Sequence, residues 1–195
     1  MTIRQNVVCA SLALVVSQLV TAPAYAADWS TVLRGSAEFG GDKLATVYYY
    51  DGYEETTRAG DGLQLAIGLG LQHSSTWYSQ ATLGYRIGGT SGDIGDLELT
   101  SVPVEFMTFH QTPRWRAGAG VTFVNNPRLE SSGVLRGLDA DFKDAAGYIG
   151  EIDWFLGSDH RFYFGIRGTF IDYETETLGS EVNGNSFGIT FGTNL

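Results

Sequence analysis

The stretch Trp77-Tyr-Ser-Gln-Ala-Thr-Leu-Gly-Tyr-Arg-Ile87 alternates without a break. Trp77, Ser79, Ala81, Leu83, Tyr85 and Ile87 share one face, and Tyr78, Gln80, Thr82, Gly84 and Arg86 the other. A period of two is that of a β-strand, whose side chains point to opposite faces in turn. The preceding segment repeats the pattern, with Leu63, Leu65, Ile67, Leu69 and Leu71 opposing Gln64, Ala66, Gly68, Gly70 and Gln72. So does the last, with Phe187, Ile189, Phe191 and Leu195 against Ser186, Gly188, Thr190 and Asn194. Eight such segments can be placed, at about 30–40, 62–72, 76–88, 96–110, 114–125, 144–156, 160–172 and 185–195. The fourth needs a phase slip near Ser101-Val102-Pro103, because Leu97 and Leu99 do not share parity with Val102, Val104 and Phe106. A β-bulge there would restore the pattern. No long 3.6-residue periodicity competes after residue 27, and 26 Gly with 13% aromatics suit all-β structure.

The connections alternate in length. Short ones follow the second, fourth and sixth segments, at His73-Ser74-Ser75, Gln111-Thr112-Pro113 and Gly157-Ser158-Asp159. Longer ones follow the first, third, fifth and seventh, at about 41–61, 89–95, 126–143 and 173–184. Tight turns at one end and longer loops at the other are what an up-and-down membrane barrel shows. The expected fold is therefore an all-β, eight-stranded antiparallel barrel spanning residues 27–195. Residues 1–26 differ in kind: Arg4, an apolar run from Val7 to Val20, then Ala24-Tyr25-Ala26. These read as a secretory signal cleaved before Ala27. The run is too short for a membrane-spanning helix, which needs ~20 residues. Its removal takes Cys9, the one cysteine, and moves the net charge from −10 to −11, since Arg4 is the only charged residue in it. An acidic chain without thiols excludes disulfide chemistry and is a poor nucleic-acid ligand.

A soluble barrel buries apolar residues and shows polar ones, whereas a membrane barrel inverts this. Here one face is Leu, Ile, Val, Phe and Trp on nearly every segment. Such a face around a closed barrel would be a very large apolar patch in water, so lipid is its expected surrounding. The other face is small and polar, and by parity it carries Arg34, Glu38, Arg86, Glu98, Glu105, Arg116, Glu151, Asp153 and Arg167. Four arginines against five acids are expected to pair inside the lumen. Trp29, Trp77, Trp115 and Trp154 all fall at the short-turn end. Indole prefers the membrane–water interface, so they are expected to form a periplasmic girdle. Tyr48, Tyr49, Tyr50, Tyr53, Tyr85, Tyr148 and Tyr173 lie toward the other end.

With this architecture, and a final segment running from Phe187 through Ile189 and Phe191 to Leu195, the chain resembles the small eight-stranded outer-membrane proteins of the OmpA, OmpX and OmpW type. The resemblance covers the signal and the whole remaining chain. It implies that Phe187, Ile189, Phe191 and Leu195 form the alternating signal read by the barrel-assembly machinery, although the family pattern usually closes on Phe. It implies residence in the outer membrane of a Gram-negative cell and contact with its lipids and lipopolysaccharide, and it permits adhesion or serum-resistance roles without selecting one. A monomer suffices, because a closed barrel has no edge to pair.

Chemistry is sparse. Lipid A-modifying barrels of this size use His with Ser and an acid near the outer leaflet, but His73, His110 and His160 all fall at the short turns. No enzyme is expected. The loops are acidic, with Asp51, Glu54, Glu55 and Asp61 in the first, Asp139, Asp141 and Asp144 in the third, and Glu174, Glu176 and Glu181 in the fourth. Ca²⁺ favours such oxygens, yet no EF-hand spacing appears, and solvated, mutually repelling loops are the expectation. Gly68-Leu69-Gly70 is no phosphate loop, since no helix follows, so no cofactor is expected. The leading expectation is a structural or surface-interaction barrel with a filled lumen. The alternatives are a narrow channel for ions or small solutes and, behind it, a lipid A-modifying enzyme.

Overall fold

A computed structural model describes residues 28–48, 54–92, 95–133, 139–176 and 179–195. The signal at 1–26 lies outside the described residues. In chain order the strands are β1 (Asp28–Gly40), β2 (Lys43–Tyr48), β3 (Glu54–Arg58), β4 (Gly62–Gln72), β5 (Trp77–Gly92), β6 (Gly95–Gln111), β7 (Trp115–Ser131), β8 (Ala140–Asp141), β9 (Ala145–Leu156), β10 (Phe162–Phe170), β11 (Asp172–Glu174), β12 (Glu181–Asn183) and β13 (Ser186–Asn194). Eight of them close an antiparallel ring in the order β1, β4, β5, β6, β7, β9, β10, β13. The last pairs with the first from Val32↔Asn194 to Gly40↔Ser186. Closure removes the free edges that an open sheet would present.

The turns at one end are short because hydroxyl side chains build them. Ser74 accepts the backbone amides of Thr76 and Trp77 at 3.3 and 3.2 Å. Thr112 does the same for Trp115 at 3.2 Å. Polar side chains in such positions stand in for a backbone turn. Along the barrel strands burial alternates as the sequence parity requires, with the apolar row outward and the polar row inward. Glycine is needed where rings fold into this narrow interior: a Cβ on Gly70 or Gly192 would run into the hydroxyls of Tyr78 and Tyr163.

The expected phase slip exists, but in the neighbouring strand. β6 keeps one parity throughout, with Leu97, Leu99, Ser101, Glu105, Met107 and Phe109 all buried. The bulge lies in β7, where Asn126 and Pro127 together oppose Ser101 between the pairs Thr100↔Arg128 and Val102↔Asn125. Inward positions are even up to Val124 and odd from Pro127 to Leu129. Asn126 takes φ 50° there, and its amide donates to Asp144 at 2.9 Å. Asparagine tolerates this left-handed region, and a β-branched residue does not. Asn126→Val is expected to cost roughly 1–2 kcal/mol and Asn126→Gly to be nearly neutral, as read from urea midpoints of the refolded barrel.

The leucines of β6 therefore change company and not face. Beyond the polar lumen the wall continues outward as a second storey around an apolar cluster of Leu97, Leu99, Val124, Leu129, Phe142 and Ile171, with Ala59 and Tyr173. The connections expected to be plain loops supply part of it. The second is a continuation of β5 and β6 up to Gly92↔Gly95. The first forms the β2–β3 hairpin and the fourth the β11–β12 hairpin. These pieces interlock: Asp42 donates its amide to the Asn183 carbonyl at 2.7 Å, Lys143 to Glu174 at 2.9 Å and Glu176 to Asp141 at 3.0 Å. The Thr57 hydroxyl reaches Thr90 at 2.9 Å. A buried apolar face holds these segments in place, which solvated loops would lack.

Candidate functional site

The lumen holds four arginines and four acids, Arg34, Arg86, Arg116 and Arg167 with Glu38, Glu105, Glu151 and Asp153, each 6% exposed or less. Glu98 is not among them. It stands on the outward face of β6, in register with Gly89 and Glu130. Its assignment to the lumen assumed that β6 switched faces near Ser101, and that switch belongs to β7. Without Glu98 the interior charges balance.

Glu105 is the hub. It receives Arg167 through both terminal nitrogens, Nη2 at 2.5 Å and Nη1 at 3.2 Å. It also pairs with Arg34 Nη2 and accepts Gln64 Nε2 at 3.1 Å. Arg34 extends to Glu151 at 3.1 Å, and Arg167 to Glu38 at 3.0 Å. Glu38 is then completed by the hydroxyls of Ser186, Thr169 and Ser36 at 2.6, 2.9 and 3.1 Å. Hydroxyls are short enough to share the narrow interior with a guanidinium, which is why parity fills this face with Ser and Thr. A buried charge is tolerable only when paired and hydrogen-bonded in this way.

Arg116 forms a second centre. Its Nε donates to Asp153 at 2.7 Å. Its guanidinium lies 4.0 Å from the Tyr163 ring centroid and 4.3 Å from that of Phe109, with Tyr78 at 5.2 Å and Phe155 at 5.8 Å. Ring faces carry negative potential and attract the cation. Sequence reasoning missed these aromatics, although inward parity on their strands was the available signal. Among the described residues several buried polar atoms nearby have no protein partner, including Glu151 Oε1, Asp153 Oδ1 and the Tyr163 hydroxyl. Groups of this kind are satisfied by internal water. Arg86 faces the lumen as expected but makes no ion pair among the described residues, and its Nη2 donates to the Gly60 carbonyl. It sits where the polar lumen meets the apolar storey, and a gap of about 10 Å³ beside it is lined by Leu44, Leu99, Pro127, Phe142 and Tyr173 among others. Such a gap has room for about one water.

The outer surface carries the other expected features. Trp29, Trp77, Trp115 and Trp154 all face outward at the short-turn end, with Trp115 and Trp154 in register. Phe187, Ile189 and Phe191 face outward on β13. Leu195 follows them, tied to Thr31 through its backbone. Tyr85 and Tyr148 face outward toward the other end. Tyr173 does not: it packs against Phe142 inside the apolar cluster, and burial pushes its phenol up from the ordinary value. The side chains of Tyr48, Tyr49, Tyr50 and Tyr53 lie outside the described residues, as do those of Asp51, Glu54 and Glu55.

The remaining loop acids do more than repel. Asp61 accepts the amides of Gly40 and Arg58, at 2.9 and 3.1 Å. Asp139 accepts the amide and hydroxyl of Ser131, which hold its carboxyl below the usual range. Asp141 pairs with Arg128 at 2.9 Å and Glu174 with Lys143 at 2.5 Å. Glu176 lies in the β11–β12 connection and donates its amide to the Asp141 carbonyl, and Glu181 opens β12 opposite Glu174. Among the described residues no cluster of three or more His, Cys, Asp or Glu could hold a metal ion.

The histidines are dispersed. His110 lies between Trp77 and Trp115, with ring centroids 5.5 and 6.4 Å away. His160 lies tilted against Phe155, with ring centroids 4.4 Å apart, and bonds the Pro113 carbonyl at 3.1 Å. His73 Nε2 comes within 2.9 Å of Ser79 Oγ, a distance a nucleophile and base would need. No carboxylate among the described residues hydrogen-bonds its other nitrogen to orient it.

No protein-family profile matches the chain and no curated protein sequence does. Among solved structures it is similar to neisserial surface protein A at 11% identity, covering 88% of this chain and 100% of that one, with a TM-score of 0.48. Ail of Yersinia pestis is similar at 10% identity, over 86% and 97% of the two chains, with a TM-score of 0.46. OprG of Pseudomonas aeruginosa is similar at 14% identity, over 85% and 95%, with a TM-score of 0.43. Likeness at this level carries nothing about activity or ligand.

Proposed function

We propose that this protein is an integral outer-membrane barrel with a closed lumen, serving a structural or surface-interaction role. The observation that carries the reading is the balanced set of four arginines and four acids lying beneath a packed apolar storey. A hydrated pore leaves its lining charges in water, whereas these are buried and, Arg86 apart, joined to one another. The inverted surface supports lipid as the surrounding, with large apolar side chains outward on all eight barrel strands. On this reading the leader at 1–26 exports the chain, the assembly machinery reads its last strand, and lipids and lipopolysaccharide surround a monomer. Asp61, which accepts amides at the ends of β1 and β3, and Asp139, which accepts one at the end of β7, hold the outer storey as a rigid surface for a ligand. No catalysis is assigned: the His73–Ser79 pair lacks an orienting acid among the described residues.

Purified protein in a planar bilayer is expected to show no steady channels. Sustained open-channel currents would favour the narrow-channel reading and sink the closed one. An altered lipid A profile in cells expressing the protein would instead support the enzyme.

A further inference from the structure

The outward face is not uniformly filled. A trough of about 690 Å³ crosses β10, β13, β1, β4 and β5. One wall is the register row Phe162, Thr193, Leu33, Ile67 and Leu83, and the other is Phe191, Gly35, Leu65 and Tyr85. Between them the floor is Gly192, Arg34, Ala66 and Gly84, residues of the inward row that show the trough only their backbone. The trough exists because Thr193 stands small where the rest of its row carries Leu, Ile or Phe, while on the other wall the Phe191 ring lies over Gly35. Five strands make four intervals of ~4.8 Å, so its length is roughly 19 Å. One acyl chain spans about half of a ~30 Å hydrocarbon core, and lying obliquely it fits that length. No outward side chain of the trough is charged, so a polar occupant is disfavoured.

The two ends differ in charge. Next to Phe162 stands the exposed Arg161, in a turn at the Trp girdle. Up the β5–β6 wall from Tyr85 the first outward charge is the carboxylate of Glu98. A phosphate finds a guanidinium at the first end, in a turn that also holds Asp159, and meets a carboxylate at the second. We propose that the trough holds one acyl chain of a phospholipid whose phosphate sits at the periplasmic rim beside Arg161. The proposal rests on the reading that this face stands in lipid and adds a specific occupant.

The test extracts the protein from outer membranes in mild detergent and counts retained phospholipid per chain by native mass spectrometry. Thr193→Trp fills the trough, and Ala117→Trp adds the same bulk to the outward face of β7. Wild type and Ala117→Trp are expected to retain about one phospholipid, and Thr193→Trp roughly five-fold less. Equal retention by Thr193→Trp and wild type, retention of lipid A instead, or no retained lipid on membrane-inserted wild type overturns the proposal. A wild-type protein that does not fractionate with membranes overturns the membrane reading as well. A phospholipid with a photoreactive acyl chain tests wild type without any variant: its crosslinks should concentrate on β1, β4 and β13, and an even spread around the barrel counts against the site.

Discussion

Replacing Glu105 by Ala is expected to destabilise the barrel by roughly 3–5 kcal/mol, the cost of leaving a buried charge uncompensated. Glu105 joins Arg34 and Arg167 and accepts Gln64, so its loss leaves two buried guanidiniums sharing Glu38 and Glu151. Glu105→Gln keeps the shape but not the charge and should fall between Ala and wild type. Glu98→Ala is the matched control, because Glu98 stands on the outward face opposite Glu130. It is expected to stay within about 0.5 kcal/mol of wild type or to gain slightly, since like charges directly opposite destabilise a sheet. Urea unfolding of protein refolded into detergent, followed by its tryptophan fluorescence, measures all three. Equal effects from Glu105→Ala and Glu98→Ala would refute the hub.

Arg116→Ala should cost a similar amount, roughly 3–5 kcal/mol, for a different reason. It strips Asp153 of its ion pair with Arg116 and removes the cation from between the rings of Tyr163 and Phe109. Arg116→Lys preserves the charge but not the planar group that lies flat on a ring while donating from its edge, so it should recover only part of the loss. Combining Arg116→Met with Asp153→Leu removes both charges together and is expected to be milder than Arg116→Ala alone, because no charge is then left unpaired. A double variant as unstable as the sum of its singles would mean that the two residues do not act as a pair.

Alternation alone specifies most of the strands. Gln64 to Gln72 and Trp77 to Ile87 could be read as strands, with their faces assigned, because a strand's period is two whatever lies beside it. Inward placement of Arg34, Glu38, Arg86, Glu105, Arg116, Glu151, Asp153 and Arg167 followed from the same parity. Glu98 was misassigned for a reason of the same kind. Leu97 and Leu99 break the lipid-facing row of Val102, Val104 and Phe106, and one strand alone cannot say whether its face or its surroundings change. The structure changes the surroundings: these leucines meet Leu129 and Phe142 in a second storey. The extra residue is absorbed at Asn126 and Pro127 of β7.

Turn lengths, strand parity and the tryptophan positions thus determined the barrel, its direction and its inverted surface, since each depends on near neighbours in the chain. Which charges meet depended on pairs far apart in sequence. Glu105 with Arg167, and Arg116 with Phe109 and Tyr163, are set by closure of the ring and by the glycines that let rings fold inward. The trough across β10, β13, β1, β4 and β5 is likewise invisible in any single strand. It needs Thr193 between Leu33 and Phe162, and only the hydrogen-bond register of the closed sheet brings them there.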